Sequence, residues 1–429
     1  MRLGTDPVPS TSGKIVKEHP EEFNRYITPQ GNTIFGFWMQ TLADLELLDL
    51  ELQGLTNSYS IDPVKRTVEF KGDETALKLR IAHLEKVRGE TTLYTEFVDA
   101  YGDTNAYAFH NLYPYKGKFY PRIVRTLINA FRLNPGALIL DPFNGSGTTT
   151  HEATLMGIDS VGVDVTPMGV LLAELKNELP FLDAKELKLN LNDLGEILTQ
   201  IEKKEWVYSN PVIEKLLLAL YFDTMDAFTR TSRYKKKGKF GLFKEKYMYV
   251  KKSHQTLLTL QEKYQLEFKK ATIQLGDVLE LQTFKQFVSK FDAIITSPPY
   301  YFSIDYVGKD RIAYDYLGID MKTVESKYLG RKNTHSRKKS GKLPAKVLLY
   351  YNDLNQSIKN MYWALKPGGK LAIIVGDSTV SGTKIPTTMM TKKFCDEADF
   401  KFETLIFNPL LGVRNRAIRG ESIIICKKQ

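Results

Sequence analysis

Between residues 121 and 178, apolar runs of strand length and segments of helical spacing follow one another in turn, and this order restricts the fold more than any other feature. PRIVRTLINAF (121–131) spaces its apolar residues for a helix, and GALILD (136–141) has the composition of a buried strand. TTTHEATLMG (148–157) is a helix closed by Gly157, DSVGVDV (159–165) a second strand, and LLAELKNEL a second helix. Such alternation implies parallel strands with helices on both faces. The pattern returns in ATIQLGD, FDAIITS, KLAIIVGD (370–377) and SIIICKK (422–428), so most of a Rossmann-like, doubly wound α/β sheet is predicted. It occupies residues 106–179 and 271–429. Residues 180–270 have helical periodicity instead and are predicted to form an inserted helical subdomain, a candidate for reading a bound target. Residues 1–105 form an N-terminal extension, a further candidate for contacting the target, in which 35–52 and 75–87 are predicted helical and TVEF (67–70) a strand.

Composition narrows the partners. The 429-residue chain is 42% hydrophobic and 26% charged, an ordinary globular balance with material for a large core. No apolar run approaches the ~18 residues of a membrane span, and MRLGTDPVPSTSGK lacks a signal-peptide core, so a cytoplasmic protein without membrane contact is expected. Cys395 and Cys426 are too few and too far apart for a disulfide framework or a zinc site, and no metal is expected. The net charge of +10 is concentrated: residues 231–255 hold nine Lys or Arg against one Glu, and residues 326–346, predicted from their Gly, Ser, Asn and Pro to be a mobile loop, hold eight against none. Two basic runs interleaved with aromatic residues favour a polyanionic partner over a merely solvated face. Lys235, Lys236, Lys237 and Lys239 in the first run, and Arg331, Lys332, Arg337, Lys338 and Lys339 in the second, are the candidate phosphate contacts.

LILDPFNGSGTTTHEA sets a glycine-bearing turn between a buried strand and a helix. Gly145 and Gly147 remove Cβ atoms where a ligand must approach main chain, and the helix that follows offers free N–H groups. A glycine turn alone also serves purely steric ends. The next strand adds the second signal, because GVDV carries Asp164 at its tip, where a doubly wound fold holds a ribose hydroxyl pair. Asp141 directly before the turn would repel a diphosphate but suits the sulfonium and ammonium charges of S-adenosylmethionine, so the turn points away from NAD.

FDAIITSPPYYFSIDY (291–306) ends a core strand in two prolines and two tyrosines. Pro298 and Pro299 have no N–H and a fixed φ, so the corner is stiff and offers carbonyl acceptors without competing donors. Acceptors at Ser297 and at the carbonyl of Pro298 could draw an exocyclic amine of cytosine or adenine toward sp³ geometry and free its lone pair, with proximity supplying much of the acceleration. Tyr300 could stack on a base taken out of the duplex. The alternative is that the motif is a plain turn and Tyr300 a core aromatic.

DPFNGSGTT, GVDVTP and TSPPYYFSIDY together resemble the S-adenosylmethionine-dependent DNA amino-methyltransferases, and the Ser form of the motif is most similar to the N4-cytosine members. HNLYPYKGKF (110–119), LKPGGKLAIIVGDS (365–378) and RNRAIRGESIIICKK (414–428) also resemble that family. The resemblance implies methyl transfer to N4 of a flipped cytosine in double-stranded DNA within a restriction-modification system, with a cognate endonuclease acting on the same site as a partner. It implies catalytic roles for Ser297, Pro298, Pro299 and Tyr300. It implies a cofactor site of Tyr115, Lys118 and Phe119; Asp141, Pro142, Phe143, Asn144, Gly145, Ser146, Gly147, Thr148 and Thr149; Asp164 and Val165; and Asp277 and Val278. N6-adenine methylation, an RNA amine as substrate, and a non-enzymatic nucleic-acid-binding module remain as alternatives. C5-cytosine methylation is excluded, since neither cysteine follows a proline.

Overall fold

Among the described residues the chain carries two large sheets of different kinds beside a two-stranded hairpin, and the largest sheet builds the site. In the computed structural model, residues 31–205, 208–230, 232–280, 285–301, 308, 310–330, 345–380, 383–409 and 420–429 are described. The N-terminal strands are β1 (Ile34–Phe35), β2 (Ser58–Asp62), β3 (Thr67–Lys71), β4 (Leu84–Val87) and β5 (Glu90–Thr91), joined antiparallel in the order β2-β3-β1-β4-β5. The larger sheet holds β6 (Leu138–Asp141), β7 (Asp159–Asp164), β8 (Thr272–Leu275), β9 (Phe291–Thr296) and β10 (Leu365–Val375). A small hairpin, β11 (Ser378–Val380) with β12 (Thr383–Ile385), precedes its last two strands, β13 (Phe400–Pro409) and β14 (Gly420–Lys428).

The order of the seven-stranded sheet is β13-β14-β10-β9-β6-β7-β8. Strands β6 to β10 pair parallel, whereas β14 runs antiparallel to both β10 and β13. Strand order reverses between β6 and β9, and a crevice at the carboxyl ends of an open α/β sheet forms at such a reversal. Asp141 ends β6, Asp164 ends β7 and Ser297 follows β9, so the topology brings the two sequence motifs to one edge. One core cluster, including Ile139, Ala293, Ile295, Ile374 and Ile423, lies on the side of helix Pro121–Ala130. Another, including Leu140, Ile294, Ile373 and Ile424, packs with helices Ala345–Ala364 and Thr387–Glu397.

The segment between β7 and β8 is helical, with helices Leu194–Glu202, Pro211–Arg230, Ser232–Lys235 and Gly238–Tyr264. In the N-terminal region, two predicted helices are shorter than expected. The first begins only at Leu42, because Thr41 and Asp44 form a reciprocal capping box, and Ile34–Phe35 is strand. The second stops at Arg80, and Leu84–Val87 is strand. Its periodicity is overridden by the buried Glu51 carboxylate, which accepts from Ala82 N at 3.0 Å and from Asn129 Nδ2 at 2.8 Å and sits 2.7 Å from His83 Nδ1. Strand β13 is absent from the sequence reading: its register shifts between Phe402 and Thr404, and a bulge of this kind interrupts the alternation by which an edge strand is recognised.

Candidate active site

The glycine turn is held from below and from the side before any ligand is considered. Asn144 N donates to Val163 O at 3.0 Å and Gly147 N to Asn144 O at 2.7 Å, closing the turn onto β7. The Asn144 side chain lies flat on that strand, where a Cβ at Gly162 would come within 2.4 Å of it. Gly145 has φ +48°, and a Cβ there would approach the Tyr115 ring to 3.2 Å, so ring and turn form a narrow slot. Beneath, the fully buried Lys176 donates to Ser146 Oγ at 3.1 Å, and burial holds its ammonium well below the usual lysine range.

Asp164 organises the same slot. Its Oδ2 accepts from Gly145 N at 2.7 Å, and its Oδ1 accepts from Thr166 N at 2.8 Å and from Thr166 Oγ1 at 2.5 Å. Burial raises its pKa while these bonds oppose the rise. Tyr115 Oη is 3.4 Å from Thr166 Oγ1, and burial, with the Asp164 charge, pushes the phenol well up.

Asp141 differs from its neighbour. It is completely buried: Oδ1 accepts from Thr296 Oγ1 at 2.6 Å and from Phe143 N at 3.1 Å, while Oδ2 has no partner among the described residues. Burial pushes its carboxyl up to about 6, against the Thr296 bond. It thus ties the tip of β6 to the tip of β9, one residue before the proline motif.

A crevice runs along this edge. Among the predicted cofactor residues, Tyr115, Pro142, Phe143, Gly145, Asp164, Val165, Asp277 and Val278 line it. Ser297 and Pro299 of the second motif line it too. Asp141, Asn144, Ser146, Gly147, Thr148 and Thr149 do not; they support the turn from within. Lys118 donates to His110 O at 2.8 Å and to Tyr113 O at 3.3 Å, bracing the segment that presents Tyr115, and Phe119 is buried in the core beside Ile123. That segment is anchored again by His110, whose Nε2 lies 2.7 Å from the buried Glu152, a carboxylate that also accepts from Tyr107 and Arg125. Thr166, within GVDVTP, Lys116 and Gly117, within HNLYPYKGKF, and Lys327 to Leu329, at the start of the second basic run, join the lining although none was named as a cofactor residue.

On the proline side, Ser297 Oγ donates to Ile374 O at 3.0 Å. With its proton committed, the hydroxyl has only lone pairs left to offer. Pro298 is buried, and Tyr300, half-buried, donates from Oη to Glu421 Oε1 at 2.8 Å. Residues 302–307, the 331–344 part of the second basic run with Arg331, Lys332, Arg337, Lys338 and Lys339, and residues 410–419 lie outside the described residues. In the first basic run, Lys235 and Lys236 are exposed, Lys237 pairs with Glu245 and Lys239 with Glu202, each at 2.7 Å. No group of three or more His, Cys, Asp or Glu suited to a metal occurs among the described residues, and no described helix is long and apolar enough to cross a membrane.

The geometry fits S-adenosylmethionine on two counts: a fully buried carboxyl beneath the turn, whose charge favours a cationic group above it without touching it, and a slot that a single added Cβ would narrow. Comparison with known proteins agrees. A family model described as "DNA methylase", of the N6/N4 type, matches residues 17–174. Type II methyltransferase M.BsoBI of Geobacillus stearothermophilus is 23% identical over 78% of this chain and 86% of its own. Type II methyltransferase M.MjaII of Methanocaldococcus jannaschii is 44% identical, over 20% of this chain and 16% of its own length. Among solved structures, TrmN from Thermus thermophilus aligns at 12% identity over 81% of this chain and 56% of its own with a TM-score of 0.33, too low to carry an argument.

Proposed function

We propose, on the premise that this chain is an S-adenosylmethionine-dependent DNA methylase related to the N6/N4 family, that its target is the exocyclic N4 of a cytosine turned out of double-stranded DNA. The observation that carries the reading is that Ser297 and Pro299 line the same crevice as Gly145 and Asp164. When bound, S-adenosylmethionine supplies an electrophilic methyl group on sulfur. The chain's own residues supply position. Gly145, Asp164 and Thr166 shape the slot for the nucleoside end, with Tyr115 as its wall. Asp141 contributes buried negative charge beneath the turn, and Asp277 and Val278 close the far side.

Ser297 is set to accept rather than donate, since its proton goes to Ile374 O. An amine N–H directed at Ser297 Oγ, with the other directed at the Pro298 carbonyl, leaves the nitrogen lone pair facing the crevice. Acceptors fixed in advance stabilise positive charge as it develops on that nitrogen, and they need no reorganisation during the reaction. The pairing of amine and methyl in one crevice converts an encounter into a positioned step. The amine proton then leaves to an acceptor or to water. Tyr300 provides the stacking face for the base.

The serine in the motif favours cytosine over adenine. Two similar proteins carry type II methyltransferase names, which supports a modification role beside a cognate endonuclease. Nucleoside mass spectrometry after incubation with labelled S-adenosylmethionine and unmethylated DNA tests the reading. Labelled N4-methylcytosine is expected; labelled N6-methyladenine overturns the choice of base, and cofactor-independent DNA binding without transfer overturns the enzyme.

A further inference from the structure

Glu421 is the second residue of β14, 121 residues beyond Tyr300, and is 8% exposed. Its Oε1 accepts the Tyr300 hydroxyl at 2.8 Å, while Oε2 has no partner among the described residues. A buried carboxylate with one neutral donor is a poor device for stability, because desolvation of the second oxygen is not recovered. Burial indeed raises its pKa, with the Tyr300 bond opposing the rise. Tyr120, half-buried and preceding helix Pro121–Ala130, also feels its charge. The residue therefore sits where the proline corner, β14 and the first helix of the α/β domain converge.

Position strengthens the case. Asn408 is the register partner of Glu421 on β13, and Ser422 pairs with Val375, one residue beyond the Ile374 carbonyl that holds Ser297. Ser297 and Tyr300, the two polar side chains of the motif, are thus each tied to the antiparallel half of the sheet or to β10 beside it, Ser297 by donation to main chain and Tyr300 by donation to Glu421.

We propose that Glu421 is a positioning residue for the target base: it acts through Tyr300, fixing the orientation of the ring on which the base stacks. The inference rests on the proposed DNA methylation and adds to it a residue that lies within RNRAIRGESIIICKK but to which the sequence assigned no role. The bond is made before substrate arrives, so the ring does not have to be ordered during base extrusion.

The test is methyl transfer from tritiated S-adenosylmethionine to unmethylated plasmid DNA by the full chain, with cofactor affinity measured on each variant by calorimetry. Tyr300→Phe and Glu421→Ala should each lower kcat about tenfold, the loss of one charge-assisted hydrogen bond, with cofactor Kd within about twofold of wild type. The double variant should be no worse than either single one. Glu421→Gln, whose amide oxygen still accepts from the phenol, should regain most of the rate. Additive losses, full activity of Tyr300→Phe, or a Glu421→Gln protein as slow as Glu421→Ala would each overturn the inference while leaving DNA methylation intact. Should Glu421→Ala fail to fold, Tyr300→Phe and the nearly isosteric Glu421→Gln decide the matter by themselves. A wild-type protein that binds cofactor but transfers nothing to DNA overturns the proposed function, and the inference with it.

Discussion

The two walls of the crevice are built by opposite strategies. The cofactor wall closes over short sequence distances: Gly145 to Asp164 spans nineteen residues and Asp164 to Thr166 two, and both oxygens of Asp164 are engaged. The target wall is assembled from far apart, since Ser297 reaches Ile374 and Tyr300 reaches Glu421. A cofactor that is the same in every turnover can have its slot shaped by near neighbours in sequence. A base that arrives only after leaving its duplex meets a site whose polar groups are fixed in place but not all used.

The sharpest way to break this comparison is to remove one acceptor from the target wall. Ser297→Ala should lower kcat roughly a hundredfold, in the range of losing one preorganised polar group at a reacting centre, and leave cofactor affinity unchanged. Rapid-quench transfer assays beside calorimetry measure both quantities. A matching loss in cofactor Kd would mean that the two walls are not separable.

The next test uses the contrast between the two aspartates. Asp141 has a folded pKa of about 6 against an ordinary 3.8, so between those values the folded chain holds more protons than the unfolded one. Its contribution to stability is therefore greatest below about pH 4 and declines as pH rises through 6, by up to roughly 3 kcal/mol for a shift of this size. Asp141→Asn keeps the acceptor for Thr296 and Phe143 N but carries no charge, and denaturant titrations from pH 4 to 7 should show that decline removed. Cofactor added to wild type should also bind more tightly as pH rises through this window, because a cation favours the ionised carboxyl.

Asp164→Asn probes the cofactor wall more gently. One face of the amide still accepts from Thr166, but its nitrogen would confront Gly145 N–H, donor against donor. Cofactor affinity should fall about tenfold, the cost of one lost charge-assisted bond, with kcat at saturating cofactor nearly intact. A collapse of kcat with little change in affinity would place Asp164 on the wrong wall.

This division also explains what was legible in the sequence. The glycine turn, Asp164 and the parallel strands were readable because each is specified by neighbours: apolar runs, a tight turn and a carboxylate at a strand tip. Thr166 was within reach of the same reasoning, being two residues past Asp164. Glu421 and Ile374 were not, because their importance arises only when β14 and β10 pair in register beside β9. Glu152 stands at a helix position where nothing local announces that Tyr107, His110 and Arg125 will converge on it. In the N-terminal region, helical spacing at 75–87 was real, but the Glu51 carboxylate draws Ala82 and His83 out of the helix.

The smallest expected effect lies outside both walls, on the helical insertion, and it sharpens the comparison by leaving each wall untouched. Lys235 and Lys236 are exposed, whereas Lys237 and Lys239 already pair with Glu245 and Glu202. Exposed pairs of this kind are worth only about 0–1 kcal/mol, so a phosphate can displace them, yet the displaced carboxylate then faces the same phosphate. Neutralising Lys235 or Lys236 should therefore weaken DNA binding about two- to fivefold and lower the salt dependence by about one counterion, uniformly across sequences. Lys237→Ala and Lys239→Ala should do less, because each ammonium is already partly neutralised by its glutamate and must give up that pair to reach a phosphate. Cofactor Kd and kcat at saturating DNA should stay at wild-type values in all four, since phosphate contacts position the duplex and neither wall of the crevice depends on them.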